Sequence, residues 1–413
     1  MKGYKETGIP WLKEMPSHWN IQRAKNMYQK MNRPVNKNDD IVTCFRNGIV
    51  TLRKNRRTAG FTESLKEIGY QGIKKGDLVI HVMDAFAGAI GVSDSDGKGT
   101  PVYTVCTAKG NYNNWYYAFV IREMAKKGFI QSLCRGIRER SSDFRYEVFG
   151  KLLLPIPPRH EQDHIVRYLN WKSSMNNTYI NAKKKQIKLL REQRQAVINK
   201  ALMKHHSQKI RFRHVFALSR GLNITKADLM DSGVPCVNYG EIHSRYGFEV
   251  NPDIHALRCV DKKYLQTNSK SLMKYGDFAF ADTSEDIAGS GNFTYLNSTA
   301  QAFAGYHTMI ARTAETMNYR YLAYFFDSLL FREQVQQKVN GVKVYSITQS
   351  ILNGTYIILP PADEQQTITA YLDQQCSHID MLIAKFNKEI ALLDEYHTRL
   401  ISDVVAGRVN LQE

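Results

Sequence analysis

The segment CFRNGIVTLRKNRRTAGF sets Arg46, Arg53, Lys54, Arg56 and Arg57 among turn-forming Asn and Gly. Arginine clamps phosphate or reads guanine through two parallel N–H bonds, and a loop can carry it into a groove of DNA. The competing reading is a solvated basic turn. A second cluster, RGIRERSSDFRYE at 135–147, interleaves Arg138, Arg140 and Arg145 with Ser141, Ser142, Phe144 and Tyr146. Its counterpart in the other half of the chain is NGVKVYSITQS at 340–350, with Asn340, Lys343, Tyr345 and Ser346. Cations interleaved with hydrogen-bonding and aromatic side chains make contact chemistry for a polyanion rather than bond-making chemistry.

The constellations of catalysis are missing. The sequence has no Walker phosphate loop, no H-E-x-x-H, no G-x-S-x-G and no [DN]-P-P-[YF] of an amino-methyltransferase. The Gly-rich stretches AGAIG at 87–91 and AGSGNF at 288–293 lack the strand-to-helix setting that cradles phosphate, so they read as turns. Asp282, Glu285 and Asp286 suggest a metal site, but no third element of a nuclease motif stands at usable spacing, and a surface loop is the better reading. The six cysteines at 44, 106, 134, 236, 259 and 376 form no C-x-x-C or Cys/His cluster, which argues against structural zinc and disulfides and for buried thiols. No cofactor or metal is expected in this chain.

The chain carries 57 Lys and Arg against 39 Asp and Glu, a net charge of +18. With 43% apolar residues it is globular, and its 413 residues are enough for two to four domains. No run of 18 apolar residues exists, and MKGYKETGIPWLKEMPSHW has charged and aromatic residues where a secretory signal places its apolar stretch. A cytoplasmic protein with a nucleic-acid partner, double-stranded DNA first, is the expectation.

The elements that must position these clusters emerge from an internal repeat. LPIPPRHEQDHIVRYL at 154–169 is echoed by ILPPADEQQTITAYL at 358–372, at an offset of 203 residues without a gap. No Pro or Gly interrupts 159–204 or 362–406, and good helix formers fill both. In the second copy Leu372, Cys376, Ile379, Ile383, Phe386, Ile390, Leu393, Leu400 and Val404 follow alternating four and three spacing, a coiled-coil seam broken only by His397. The first copy keeps the period at Leu169, Ile180, Ile187, Leu190, Val197 and Ala201 but places Ser173, Asn176, Lys183 and Arg194 on the seam. Residues 159–206 hold 11 basic and 3 acidic side chains, whereas 362–413 hold 4 and 9. Opposite charge favours pairing the two helices with each other, more through partner choice than stability. Two separate amphipathic helices remain the alternative.

The flanking segments resemble each other where KKGDLVIHVMDAFAGAIG meets KYGDFAFADTSEDIAGSG. LVIHV and YIILP read as strands, and WYYAFVIREMAKKGFIQSL and YLAYFFDSLLFREQVQQKV as packing helices. The expected architecture is mixed α/β (α+β): duplicated modules at 1–158 and 207–361, each followed by a long helix, 159–206 and 362–413. The helices should be antiparallel, with a pseudo-twofold axis between the halves. Each would be roughly 70 Å long, some two turns of B-DNA.

These residues resemble the DNA specificity subunits of Type I restriction-modification systems across essentially the whole chain. YKETGIPWLKEMPSHW at 4–19 is similar to the family's opening segment, and GYQGIKKGDLVIHVMDAFAGAIG at 69–91 to the middle of a target-recognition domain. The two proline-plus-EQ segments resemble the openings of its conserved helical regions. The resemblance implies a non-catalytic subunit whose two target-recognition domains each read half of a bipartite DNA site, the helices setting the spacer. It also implies docking of two methyltransferase subunits, which bring S-adenosylmethionine, and of ATP- and Mg2+-dependent restriction subunits. The second module departs from the pattern, entering through HHSQKIRFRHVFALSRGL, so its first strand is less certain. Two other classes stay open: an enzyme with a divergent methyltransferase or nuclease module, and a coiled-coil adaptor that binds DNA without sequence preference.

Overall fold

The computed structural model describes residues 3–56, 67–134, 143–203, 208–341, 343–409 and 411. Its fold is mixed α/β and internally duplicated. Two compact units divide the chain: 1–182 with 388–413, and 183–387. Each unit contains one module together with part of each long helix.

The first unit is built on an antiparallel sheet in the order Tyr28–Lys30, Tyr103–Ala108, Leu78–His81, Ile90–Val92. The second repeats that order with Phe216–Arg220, Thr308–Thr313, Phe278–Ala281 and Phe293–Leu296. It then adds a parallel edge strand, Phe248–Val250. The segment whose first strand was uncertain from sequence folds as its counterpart does. Gln208–Arg211 pairs with Tyr356–Leu359, as Asn20–Arg23 pairs with Leu153–Ile156.

The shared K-x-G-D sequence fixes where each central strand begins. Gly76 and Gly276 lie at φ +92° and +86°, a region open to glycine. The aspartate that follows folds back on the turn: Asp77 and Asp277 accept the backbone N–H of Lys74 and Lys274 at 2.8 and 2.7 Å. Both carboxylates are almost wholly buried, which is tolerable only because each is neutralised. Arg33 meets Asp77 and Arg312 meets Asp277, each at 2.5 Å. The two arginines come from different places in their modules, a point at which the duplication has diverged.

The packing helices differ from expectation in being broken. Asn114–Lys126 is separated from Phe129–Leu133 by Gly128 at φ +71°, and Tyr319–Asp327 from Leu329–Gln336 by Ser328 in an extended conformation. Each begins on an asparagine cap: Asn113 accepts from the N–H of Trp115 and Tyr116, and Asn318 from that of Tyr321.

The long helices run Arg159–Met203 and Ala362–Val405. The repeated glutamine of the EQ signature anchors each start, with Gln162 and Gln365 bonding back to the prolines before them. Glu161 accepts from the Trp19 indole at 2.8 Å and stands 2.8 Å from His18, tying the first helix to the opening segment. The sequence offset of 203 reappears in packing. Ile165 and Leu169 join Val404 and Val405 in the first unit's core, as Ile368 and Leu372 join Ala201 and Leu202 in the second's.

All six cysteines are free. Cys44, Cys106, Cys236 and Cys376 are buried, but Cys134 and Cys259 are only half-buried, contrary to expectation for those two. Among the described residues no helix is long and apolar enough to cross a membrane.

Candidate nucleic-acid interface

In the first unit the basic hairpin Val42–Cys44 and Val50–Leu52 holds its cations on local partners. Arg46 meets Asp84 at 2.9 Å, and Lys54 meets Asp40 at 2.6 Å. Arg56 donates to Asn47 at 2.8 Å with its guanidinium 4.5 Å from the centre of the Phe45 ring. Arg53 is half-buried in the 3-10 turn Arg53–Asn55, so it is less available than its sequence suggests. Arg57, Arg138 and Arg140 lie outside the described residues, as do Ser141 and Ser142.

The second basic cluster reaches the same place. Phe144 N–H donates to the Val82 carbonyl at 3.2 Å, and its neighbour Arg145 is exposed and held by Asp143 at 2.7 Å. That carboxylate raises the Arg145 pKa further above its ordinary value. The loop after Leu78–His81 therefore touches both clusters, through Asp84 on one side and Val82 on the other. Beneath the hairpin lies Arg122, unremarked in the sequence reading. Its half-buried guanidinium packs under Gly48, where any side chain would collide with it, and burial lowers its pKa.

The second unit repeats the construction. Ile347 N–H donates to the Asp282 carbonyl at 2.8 Å, and Thr283–Ser284 pairs with Tyr345–Ser346. Asn340, Lys343 and Ser346 are exposed and Tyr345 half-buried on this segment. The acidic trio sits opposite it as loop structure. Asp282 accepts from the Thr283 hydroxyl at 2.7 Å, and Asp286 caps the Gly289 N–H at 2.6 Å. Among the described residues no three His, Cys, Asp or Glu side chains are grouped to hold a metal ion.

The side chains behind this segment belong to no sequence motif. His243 lies 2.9 Å from the Thr283 carbonyl through Nε2 and 2.8 Å from the Asn292 amide through Nδ1. A carbonyl can only accept, so Nε2 carries the proton and Nδ1 takes the Asn292 N–H. Asn292 accepts from Arg332 at 2.7 Å, and Arg332 bonds Asp327, which also binds Arg194 of the first long helix at 2.5 Å. Arg194 reaches Asp380 of the second long helix at 3.2 Å. Burial works against the Arg194 cation, but Asp327 and Asp380 outweigh it and its pKa is raised. Arg194, a polar position on the first helix's seam, thus joins a network that runs from Thr283, paired with Ser346, to Asp380.

The helix seam is built within each unit from residues of opposite sequence direction, so the helices are antiparallel. In the first unit Ser173 meets His397 and Tyr179 meets Glu389. In the second the Lys183 ammonium lies 3.9 Å from the centre of the Phe386 ring, and Arg194 meets Asp380. Of the seam candidates Leu169, Ile187, Leu372, Ile379 and Leu400 are buried, while Ile180, Leu190, Val197, Ile383, Phe386, Ile390 and Leu393 are half-buried. Asn176 is buried on the seam.

Residues 207–392 match the family model described as Type I restriction modification DNA specificity domain. A solved structure from work on complex assembly and conformational transition of the type I R-M system is similar, with 16% identity and a TM-score of 0.68 over 96% of this chain and 99% of that one. The HsdS subunit from Thermoanaerobacter tengcongensis matches at 15% identity and a TM-score of 0.49, over 96% and 98% of the two chains. The S subunit of a Type I system from M. genitalium matches at 12% and 0.40, over 96% and 98%. At 16% identity the likeness to the first of these structures is one of fold. Among curated proteins no relative matches the chain.

Proposed function

We propose that this chain, whose residues 207–392 match the Type I restriction modification DNA specificity domain, is a non-catalytic subunit that selects a bipartite DNA site for a methylation and restriction complex. One observation carries the reading. The same surface is built twice, in each unit, from the loop after the K-x-G-D strand and a downstream segment that hydrogen-bonds to it. A contact surface built twice suits two readings of sequence better than one reaction.

In this account the exposed cations position the protein on phosphate, and side chains of the paired loops read base edges in the major groove. Phosphate anchoring leans on the first module: residues 1–158 carry 26 basic and 14 acidic side chains against 16 and 13 in 207–361. The length of the paired helices sets the number of base pairs between the half-sites.

Two methyltransferase subunits dock on the helical pair and bring S-adenosylmethionine, and restriction subunits bring ATP and Mg2+. Support for such docking is a stripe of exposed apolar side chains on the first long helix, Trp171, Met175 and Tyr179 at 54, 49 and 45% exposure, with Leu392 and Tyr396 on the second. The assembly is cytoplasmic.

The experiment that tests this reading interchanges the two modules at the proline-EQ junctions and maps methylated bases in cells holding the cognate methyltransferase. The half-sites should exchange order with the gap kept. Methylation that ignores the interchange would contradict it.

A further inference from the structure

We propose that His307 reads a base edge within the half-site taken by the second unit, recognising an exocyclic amino group in the major groove. This rests on the DNA-reading role proposed above and names one of its specificity determinants.

His307 occupies the turn between Ala302–Ala304 and Thr308–Thr313 at φ +54°, a left-handed conformation uncommon outside glycine. Backbone bonds lay it beside the recognition segment. Its carbonyl accepts from Asp282 N–H at 3.0 Å, and the Asp282 carbonyl accepts from Ile347 N–H at 2.8 Å. The Asp282 side chain then fixes the ring chemically, with Oδ1 3.2 Å from His307 Nδ1.

An ionised carboxylate can only accept, so Nδ1 carries the proton and Nε2 of the neutral ring is an acceptor. Nε2 has no partner among the described residues, and the side chain is 56% exposed. Tyr239 and Tyr306 pack edge-on against the ring, with centroids at 5.3 and 5.9 Å. The result is one oriented acceptor, ordered before any ligand arrives.

An acceptor reads a donor. In the major groove the base-edge donors are N6 of adenine and N4 of cytosine, so those are the groups His307 would recognise. The equivalent place in the first unit is Val102, identified by the matching bond from Val82 N–H to its carbonyl at 2.9 Å. Valine offers no acceptor, and the two units would thus read different edges at corresponding positions.

The test uses the full chain assembled with its methyltransferase subunits and duplexes carrying each base pair at each half-site position. His307→Gly suits the left-handed backbone and removes the ring. It should relax one position of the second unit's half-site by about tenfold or more, leaving the other half-site and the gap unchanged. For the wild-type complex, a base analogue lacking the amino group at that position should cost the same and should cost the variant nothing further. Separate adenine and cytosine analogues decide which base is read. Asp282→Asn, whose amide no longer demands a proton on Nδ1, should weaken the same position and guards against a misfolded glycine variant. Unchanged preferences at every position, or a uniform loss across all duplexes, would overturn the role of His307. A wild-type complex with no split motif would instead overturn the DNA-reading role beneath it.

Discussion

Gln162 and Gln365 make the same bond 203 residues apart, each donating its side-chain amide to the carbonyl of the proline five residues before it, Pro157 and Pro360, at 2.8 Å. Gln162 also accepts the backbone N–H of Asn113 at 2.8 Å, so it joins the start of a long helix to the cap of a packing helix. Both glutamines are buried. Replacing either with leucine leaves buried backbone groups unpaired and should cost its unit about 1–3 kcal/mol. Chemical denaturation of each variant checks this, and a change below about 0.5 kcal/mol would contradict the anchoring role.

The Arg312–Asp277 pair holds the central strand of the second unit. Asp277 is 3% exposed, and Arg312 approaches it through two nitrogens while also donating to the Leu272 carbonyl. Arg312→Met strands a buried carboxylate and should destabilise by roughly 3 kcal/mol. The double variant with Asp277→Asn should recover part of that loss, a coupling a thermodynamic cycle would measure.

Lys54 and Arg46 are exposed, yet each is held by an acid, Asp40 and Asp84. Contact with phosphate must therefore exchange one anion for another. Neutralising Arg46 and Lys54 together should shallow the salt dependence of DNA affinity by roughly two phosphate contacts. An unchanged slope would remove the hairpin from the interface.

Alkaline pH offers a test of the cores. Burial pushes the Cys44 thiol and the Tyr103 phenol up to about 12 each, and the Cys376 thiol up to about 11. These groups bind their protons more tightly folded than unfolded. The stability they contribute is fully present below the unfolded pKa values and is lost as pH rises through the folded ones. Denaturation midpoints should thus fall between about pH 9 and 12. At pH 8, half-buried Cys134 and Cys259 should react with a thiol reagent well before the four buried cysteines.

How much of this was legible in the sequence follows from what is local. The long helices were readable because an uninterrupted heptad period and the absence of Pro and Gly are local signals. The EQ repeat was visible as a motif, though its role as an anchor needed the packing of Gln162 against Asn113. The break at Gly128 was written in the chain but outweighed by the apolar period around it, and that at Ser328 left no such mark. Pairings across distance were hidden. Arg46 with Asp84 spans 38 residues and Arg194 with Asp327 spans 133, so the basic clusters looked freer than they are. His307 belongs to no motif, and only the turn that lays it beside Asp282 gives it a role.

The most direct measurement maps methylated bases across the genome of cells carrying the cognate methyltransferase, with and without this chain. The account predicts a split motif with one fixed gap that appears only when the chain is present. Methylation at the same sites in its absence, or a chain-dependent pattern with no defined motif, would contradict it.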